Sequence, residues 1–460
     1  MGKRLEDLTL VDRPQAERTP VAASPRPMST PADAVATPST PVLLPKSIAN
    51  LLPPGGFLRE YVEYAYPLTE APAESHLAAA LVTASALVAR SVSIFPWVGD
   101  SRLHLNIWVA LLGGSTLPRK STTVGISETV IRDVQPDLRL PDDTTAAALV
   151  DQLAACSERV WFLSELSTLF AQCDAQVNVG MSQLIAVLFD VPEVWESARR
   201  GRAKKASKQV TRIARPYVAL LGATTTSWLT SHLNETDLLG GLHARFLYFP
   251  ILDPGPNGRL FPIPPSADAA HYQRLLEQAR RLHDYTGTVS LDRIRTPYSA
   301  WYCDHRRALY TLDDRERLGS FWGRLETYCL KLAALYQLSL TTVDSGIPAT
   351  DHVFVIEPEA LDLAIALVEF LKRALVRFVR QKLAPNAREA AHQRLLEHVR
   401  HAGGRIQRRI LQQKVGLSSK DFGAVLQSLT EDGRLEVTPE PTEAGQTAVW
   451  VRLLEEEADA

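Results

Sequence analysis

The run Gly114-Ser-Thr-Leu-Pro-Arg-Lys-Ser-Thr122 sets a lysine and two hydroxyl residues directly behind a loop opened by glycine. Residues in this order suit an anion: loop N–H groups and a helix N-terminus give partial positive charge, Lys120 adds a full one, and the Ser121 hydroxyl can ligate a divalent cation. Gly114 to Ser121 fits the spacing G-x-x-x-x-G-K-[ST], with Arg119 in place of the second glycine and Pro118 stiffening a loop that must curl. A side chain held there at positive φ is strained, so the loop either takes a variant backbone or binds its anion weakly. The chemistry expected is binding of nucleotide phosphates by Gly114, Arg119, Lys120, Ser121 and Thr122, with Ser121 as the Mg²⁺ ligand. The alternative is an ordinary strand-to-helix turn carrying an exposed lysine.

Such a loop needs an apolar strand before it and an amphipathic helix after it, and Ile107 to Leu112 and the stretch after Lys120 have those patterns. Further apolar runs at Val160 to Leu163, Tyr217 to Leu221 and Phe246 to Phe249 alternate with helical stretches. This alternation predicts a mostly parallel sheet flanked by helices. Val160-Trp-Phe-Leu-Ser-Glu165 ends in a carboxylate at the sheet edge, where Glu165 can act as general base or orient water, or else cap the helix Leu166 to Phe170. Ser164 stands where an aspartate supporting Mg²⁺ is common. The third run leads into Ala-Thr-Thr-Thr226, so Thr224 can bond a γ-phosphate or the attacking water, while Thr226 can cap a helix beginning near Trp228. Arg245, just before the fourth run, can serve as an arginine finger for a neighbouring subunit or as half of a structural ion pair.

A net charge of −2 gives no global attraction to nucleic acid, so any such contact must be local. One local patch is evident. Arg199, Arg200, Arg202, Lys204, Lys205, Lys208, Arg212 and Arg215 follow one another with no intervening acid, and a phosphodiester backbone or solvent can accommodate that density. Trp195 precedes the patch and can stack on a base or pack internally. The 4 cysteines, Cys156, Cys173, Cys303 and Cys329, lack pairing or metal-ligand spacing and read as reduced core fillers. With no long apolar span and no secretion-signal layout, the expectation is a cytoplasmic chain without membrane contact.

A length of 460 residues allows several domains. Residues 1–45, rich in Pro, Thr, Ala and Ser, read as a disordered tail. Residues 46–102 read as a helical lead-in that includes the Ala-rich run His76 to Arg90. Residues 103–255 read as the α/β core, and 256–385, after the linker Asp253-Pro-Gly-Pro-Asn-Gly258, as a helical domain with Phe321 to Leu338 and Pro358 to Arg380. The remainder, 386–454, reads as a winged helix: helices Arg388 to Ala402, Arg405 to Lys414 and Ser418 to Glu431, with Ser418 as N-cap of the third. A hairpin follows, turning at Thr438 to Gly445 before Thr447 to Leu453. Arg405, Arg408 and Arg409 can dock duplex DNA or simply face solvent.

The order of these motifs resembles a family of P-loop ATPases from bacteria, phages and plasmids that is related to primase-associated replicative helicases. The shared marks are Gly114 to Thr122, Leu140-Pro-Asp-Asp-Thr-Thr-Ala-Ala-Ala-Leu149, the strand ending at Ser164-Glu165, Leu184 to Asp190, and Gly240-Gly-Leu-His-Ala-Arg-Phe246, covering residues 57–340. The resemblance implies a RecA/AAA-like P-loop NTPase core that binds ATP and Mg²⁺ and assembles as a homo-oligomeric ring. It also implies roles: Lys120 on the β- and γ-phosphates, Ser121 on Mg²⁺, Glu165 activating water and Arg245 acting across a subunit boundary, with Arg119 a tolerated variant. The resulting expectation is an ATP-dependent DNA motor or loader, such as a helicase of a mobile element, holding single-stranded DNA at the core and duplex at the winged helix. A non-hydrolysing DNA-binding regulator and a protein-interaction scaffold are the alternatives.

Overall fold

The computed structural model describes residues 44–95, 102–114, 119–174, 180–199, 209–232, 241–251, 259–261, 265–312, 315–343, 352–382, 387–441 and 447–454. The expected tail, the linker at Asp253 to Gly258 and the basic positions Arg200, Arg202, Lys204, Lys205 and Lys208 lie outside them, apart from the tail's last two residues.

In chain order, α1 (Lys46–Ala49), α2 (Phe57–Ala65) and α3 (Ala73–Val88) lead to β1 (Val92–Ile94), β2 (Leu103–His104) and β3 (Trp108–Gly113). Next come α4 (Lys120–Val134), α5 (Ala146–Ala155), β4 (Glu158–Leu163), α6 (Ser167–Asp174) and α7 (Met181–Phe189). Then follow β5 (Val194–Arg199), β6 (Gln209–Ala214), β7 (Tyr217–Thr225), α8 (Thr226–His232) and β8 (Leu247–Ile251). The helical stretch is α9 (Ala269–Asp284), β9 (Gly287–Ser290), α10 (Arg295–Tyr310), α11 (Arg315–Thr341), β10 (His352–Val355) and α12 (Pro358–Lys382). The chain closes with α13 (Ala387–His401), β11 (Arg405–Gln407), α14 (Arg408–Val415), α15 (Ser419–Glu431), β12 (Leu435–Pro441) and β13 (Thr447–Leu453).

The central sheet has the order β4-β7-β3-β8 with every pair parallel, as the alternating apolar runs predict. Its inner strands β3 and β7 are mostly apolar and buried at every position but Thr225, as strands covered on both faces are. Helix α3 lies in this interior: from Ala73 to Val88 every residue but Glu74 is buried, and its alanines let it approach β3 and β7 closely. A helix apolar all round must be enclosed, and this one is. Among the described residues, no helix is long and apolar enough to cross a membrane.

A second sheet, β10-β9-β1-β2, joins β1 of the lead-in to β9 and β10 of the helical stretch by parallel pairing. Buried apolar side chains from Ile48 to Leu375 form one continuous cluster. The boundaries drawn at 102/103 and 255/256 therefore do not separate cores, since buried residues on both sides of each belong to the same cluster. Of the cysteines, Cys329 is buried, Cys156 and Cys173 are half-buried and Cys303 is exposed, so core filling applies to Cys329.

The C-terminal elements keep a core of their own, built around Leu395, Leu411, Phe422, Leu429 and Val451. Their sheet has the order β11-β13-β12. The Ser418 hydroxyl accepts the Asp421 amide at 3.1 Å and caps α15 as expected. Two details differ from the sequence reading. Arg405 to Gln407 form a strand against β13 before α14 begins, and β12 runs on through Pro441, where an edge position tolerates proline.

Candidate functional site

Gly114 and Arg119, the described ends of the glycine-opened segment of the sequence, lie after the C-terminal end of β3 and before α4. Arg119 is the N-cap of α4 and takes the left-handed conformation, φ 47° and ψ 34°. This is the region that glycine visits freely and arginine enters only under strain, so the loop keeps a glycine-type backbone around a non-glycine residue. Arg119 Nε donates to Glu70 Oε2 at 2.8 Å. Lys120 is buried at the first position of the helix, and its ammonium curls back on the loop, donating to the carbonyl oxygens of Gly113, at 3.2 Å, and Gly114. Burial holds its pKa below the ordinary lysine value, and the charge of Glu165 partly offsets this. Ser121 and Thr122 occupy the exposed first turn beside it.

Register brings the other rim residues level with the loop. Leu163 pairs with Gly222 and Leu112 with Thr224, so Glu165, two residues past Leu163, stands level with Thr224 and the end of β3. Two strand spacings of roughly 4.8 Å separate β4 from β3. Glu165 is exposed, and its carboxylate accepts from the Ser167 amide at 3.4 Å and from the Ser167 hydroxyl, so it also caps the first turn of α6. Ser164 beside it is exposed. Thr224 is 1% exposed, and among the described residues its Oγ1 has no hydrogen-bond partner. The hydroxyl capping α8 is that of Thr225, which accepts the Trp228 amide at 3.2 Å, rather than that of Thr226, which is already the first helical residue.

These residues fit a triphosphate. Among the described residues, the Lys120 ammonium donates to the Gly113 and Gly114 carbonyls and the buried Thr224 hydroxyl has no partner, so both are donors that a stronger acceptor could engage.

Arg245 is not part of this cluster. Val109 pairs with Leu247, so Arg245 precedes β8 at the N-terminal rim, roughly 15 to 20 Å along the strand from the loop. Its side chain is 12% exposed, donates to the Gly241 carbonyl at 2.8 Å and pairs with Asp190 at 3.4 Å, a carboxylate shared with Arg324 at 3.8 Å. The structure gives it the ion-pair role in its own subunit. To act as a finger it would have to leave Asp190.

The basic run is not a single loop. Strands β5 and β6 form an antiparallel hairpin with Arg199 opposite Gln209, and Arg212 pairs with Glu196 at 2.6 Å, while Arg215 lies 4.0 Å from Glu193. Trp195 is half-buried against the core. The hairpin base sits at the N-terminal rim, where Arg90 donates to the Ala214 carbonyl at 3.0 Å. In the C-terminal unit Arg405 lies 4.3 Å over the Trp450 ring and pairs with Glu440, whereas Arg408 and Arg409 are exposed on α14. The outer face of α15 is mixed in charge, with Lys420, Asp421, Gln427 and Glu431 exposed.

Glu70 escaped sequence reasoning because it precedes Arg119 by 49 positions and belongs to no motif. Comparison of the chain with protein-family models and with curated protein sequences finds no match.

Proposed function

We propose that this chain is a P-loop ATPase that acts on DNA as a motor or loader. The observation that carries the reading is the meeting of Lys120, Glu165 and the partnerless hydroxyl of Thr224 at one rim of a parallel sheet, behind a loop whose Arg119 adopts a glycine-type conformation. In this reading Lys120 leaves the Gly113 and Gly114 carbonyls for the β- and γ-phosphates, and the loop amides and the α4 N-terminus hold the remaining oxygens. Ser121 is the side chain that would hold Mg²⁺, which would supply neutralisation of the phosphates' charge. Thr224 donates to the γ-phosphate or to the attacking water, and Glu165, released from Ser167, orients that water and accepts its proton.

The hairpin β5–β6, whose strands the basic run of the sequence connects, is the element we assign to single-stranded DNA. The order α13-β11-α14-α15-β12-β13 supports a winged helix, with Arg408 and Arg409 as its duplex contacts. A homo-oligomeric ring is part of the proposal. Because Arg245 is held by Asp190, its action across a subunit boundary requires that pair to open on assembly.

One observation favours a second reading, in which the site binds nucleotide without turnover: Glu165, the acid that follows β4, is occupied in capping α6. Phosphate release measured with and without single-stranded DNA separates the two. The motor reading expects DNA-stimulated release that Lys120→Ala abolishes. Equal, slow release by both proteins, with DNA binding intact, establishes the regulator instead.

A further inference from the structure

The turn between α2 and α3 is gripped from two directions. Arg259 donates to the carbonyl oxygens of Tyr66 at 2.6 Å and Ala71 at 2.9 Å, with its guanidinium 3.3 Å above the Tyr66 ring. Between those anchors, Glu70 spends one carboxylate oxygen on the Phe261 amide at 2.8 Å and the other on Arg119 at 2.8 Å. The Phe261 amide and then Arg119 hold the Glu70 carboxyl below its ordinary value, so it stays charged. The carboxylate is thus a fixed anion, and its one movable partner is the half-exposed side chain of the phosphate loop.

We propose that Glu70 is a positioning residue that holds Arg119 in the empty loop and competes with the terminal phosphate of a nucleoside triphosphate for its guanidinium. This rests on the nucleotide reading above. Arg119 directly precedes Lys120 at the α4 N-terminus, and a phosphoryl group carries more charge than a carboxylate with the same fork-shaped hydrogen-bonding geometry. Arg119 cannot serve both acceptors at full strength. Triphosphate binding therefore has to break the Arg119–Glu70 pair, and the cost of doing so reduces affinity. The arrangement also accounts for an arginine at a position that strains it: a glycine would allow the backbone but could not sense whether the loop is filled.

The test is equilibrium titration of the full chain with fluorescent Mg-ATP, for wild type, Glu70→Gln, Arg119→Gly and the double variant. Competition predicts that Glu70→Gln binds about two- to fivefold more tightly, the range a half-exposed ion pair supports. In the Arg119→Gly background the same change should have no effect. Glu70→Asp, which keeps the charge but shortens the reach, should tighten binding as well, and it serves if the glutamine variant folds poorly. Weaker binding by Glu70→Gln would mean that the pair merely supports the loop. Equal tightening in both backgrounds would assign the effect to through-space charge. Either result overturns the proposal while leaving the nucleotide reading intact. A wild-type chain that takes up no Mg-ATP removes both, and does so before any variant is made.

Discussion

Replacing Thr224 by valine exchanges a hydroxyl for a methyl of nearly equal volume at a position 1% exposed to solvent. Because Oγ1 has no partner among the described residues, the folded chain bears the desolvation of a polar group without compensation, about 1 to 3 kcal/mol. The valine variant should therefore be more stable than wild type by up to that amount. Urea unfolding followed by circular dichroism should show a higher midpoint at unchanged slope. The same change removes a donor to a charged phosphate or an activated water, a bond worth about 1.5 to 3 kcal/mol, so ATP turnover should fall roughly ten- to a hundredfold. Thr224→Ser restores the hydroxyl and should retain turnover. Stability and turnover thus move in opposite directions. A destabilised valine variant, or one with normal turnover, refutes the assignment of this hydroxyl to the nucleotide.

Gly56 has φ +84°, and a Cβ built there lies 2.0 Å from the Ser339 carbonyl oxygen, so Gly56→Ala should cost about 3 kcal/mol or more; a wild-type urea midpoint would contradict this. His76 is fully buried, and burial lowers its pKa from 6.5 to about 3. The unfolded chain takes up a proton below 6.5 that the folded chain refuses until about 3, so stability should fall as pH drops through that window, and His76→Gln should flatten the slope of midpoint against pH. In the basic run of the sequence, Lys204→Ala, Lys205→Ala and Lys208→Ala combined should reduce the log–log salt slope of single-stranded DNA binding by about 2; an unchanged slope removes these lysines from the interface.

The central sheet was legible because its strands are short apolar runs separated by helical periodicity. Val160 to Leu163 and Tyr217 to Leu221 are both contained in strands that the structure extends, to Glu158–Leu163 and Tyr217–Thr225. The β5–β6 hairpin was hidden because its alternation is carried by charged pairs such as Glu196 with Arg212, which in a linear reading look like a basic loop. The second sheet was equally hidden: its strands are three or four residues long, or two at β2, and β1 pairs with β9 nearly two hundred positions on. At the site, motif spacing placed Lys120 and Glu165 at a common rim. It could not reveal which rim Arg245 occupies, since a residue before a strand and a residue after one look alike until the strand's direction is known. Glu70 was out of reach for a different reason, as only tertiary folding brings it to Arg119.

Calorimetric titration of the full-length chain with Mg-ATP tests the central claim most directly. The account predicts saturable binding at one site per chain, weakened at least about thirtyfold by Lys120→Ala, because that change leaves the phosphates without their buried cation. No uptake by wild type, or equal dissociation constants for wild type and variant, contradicts it.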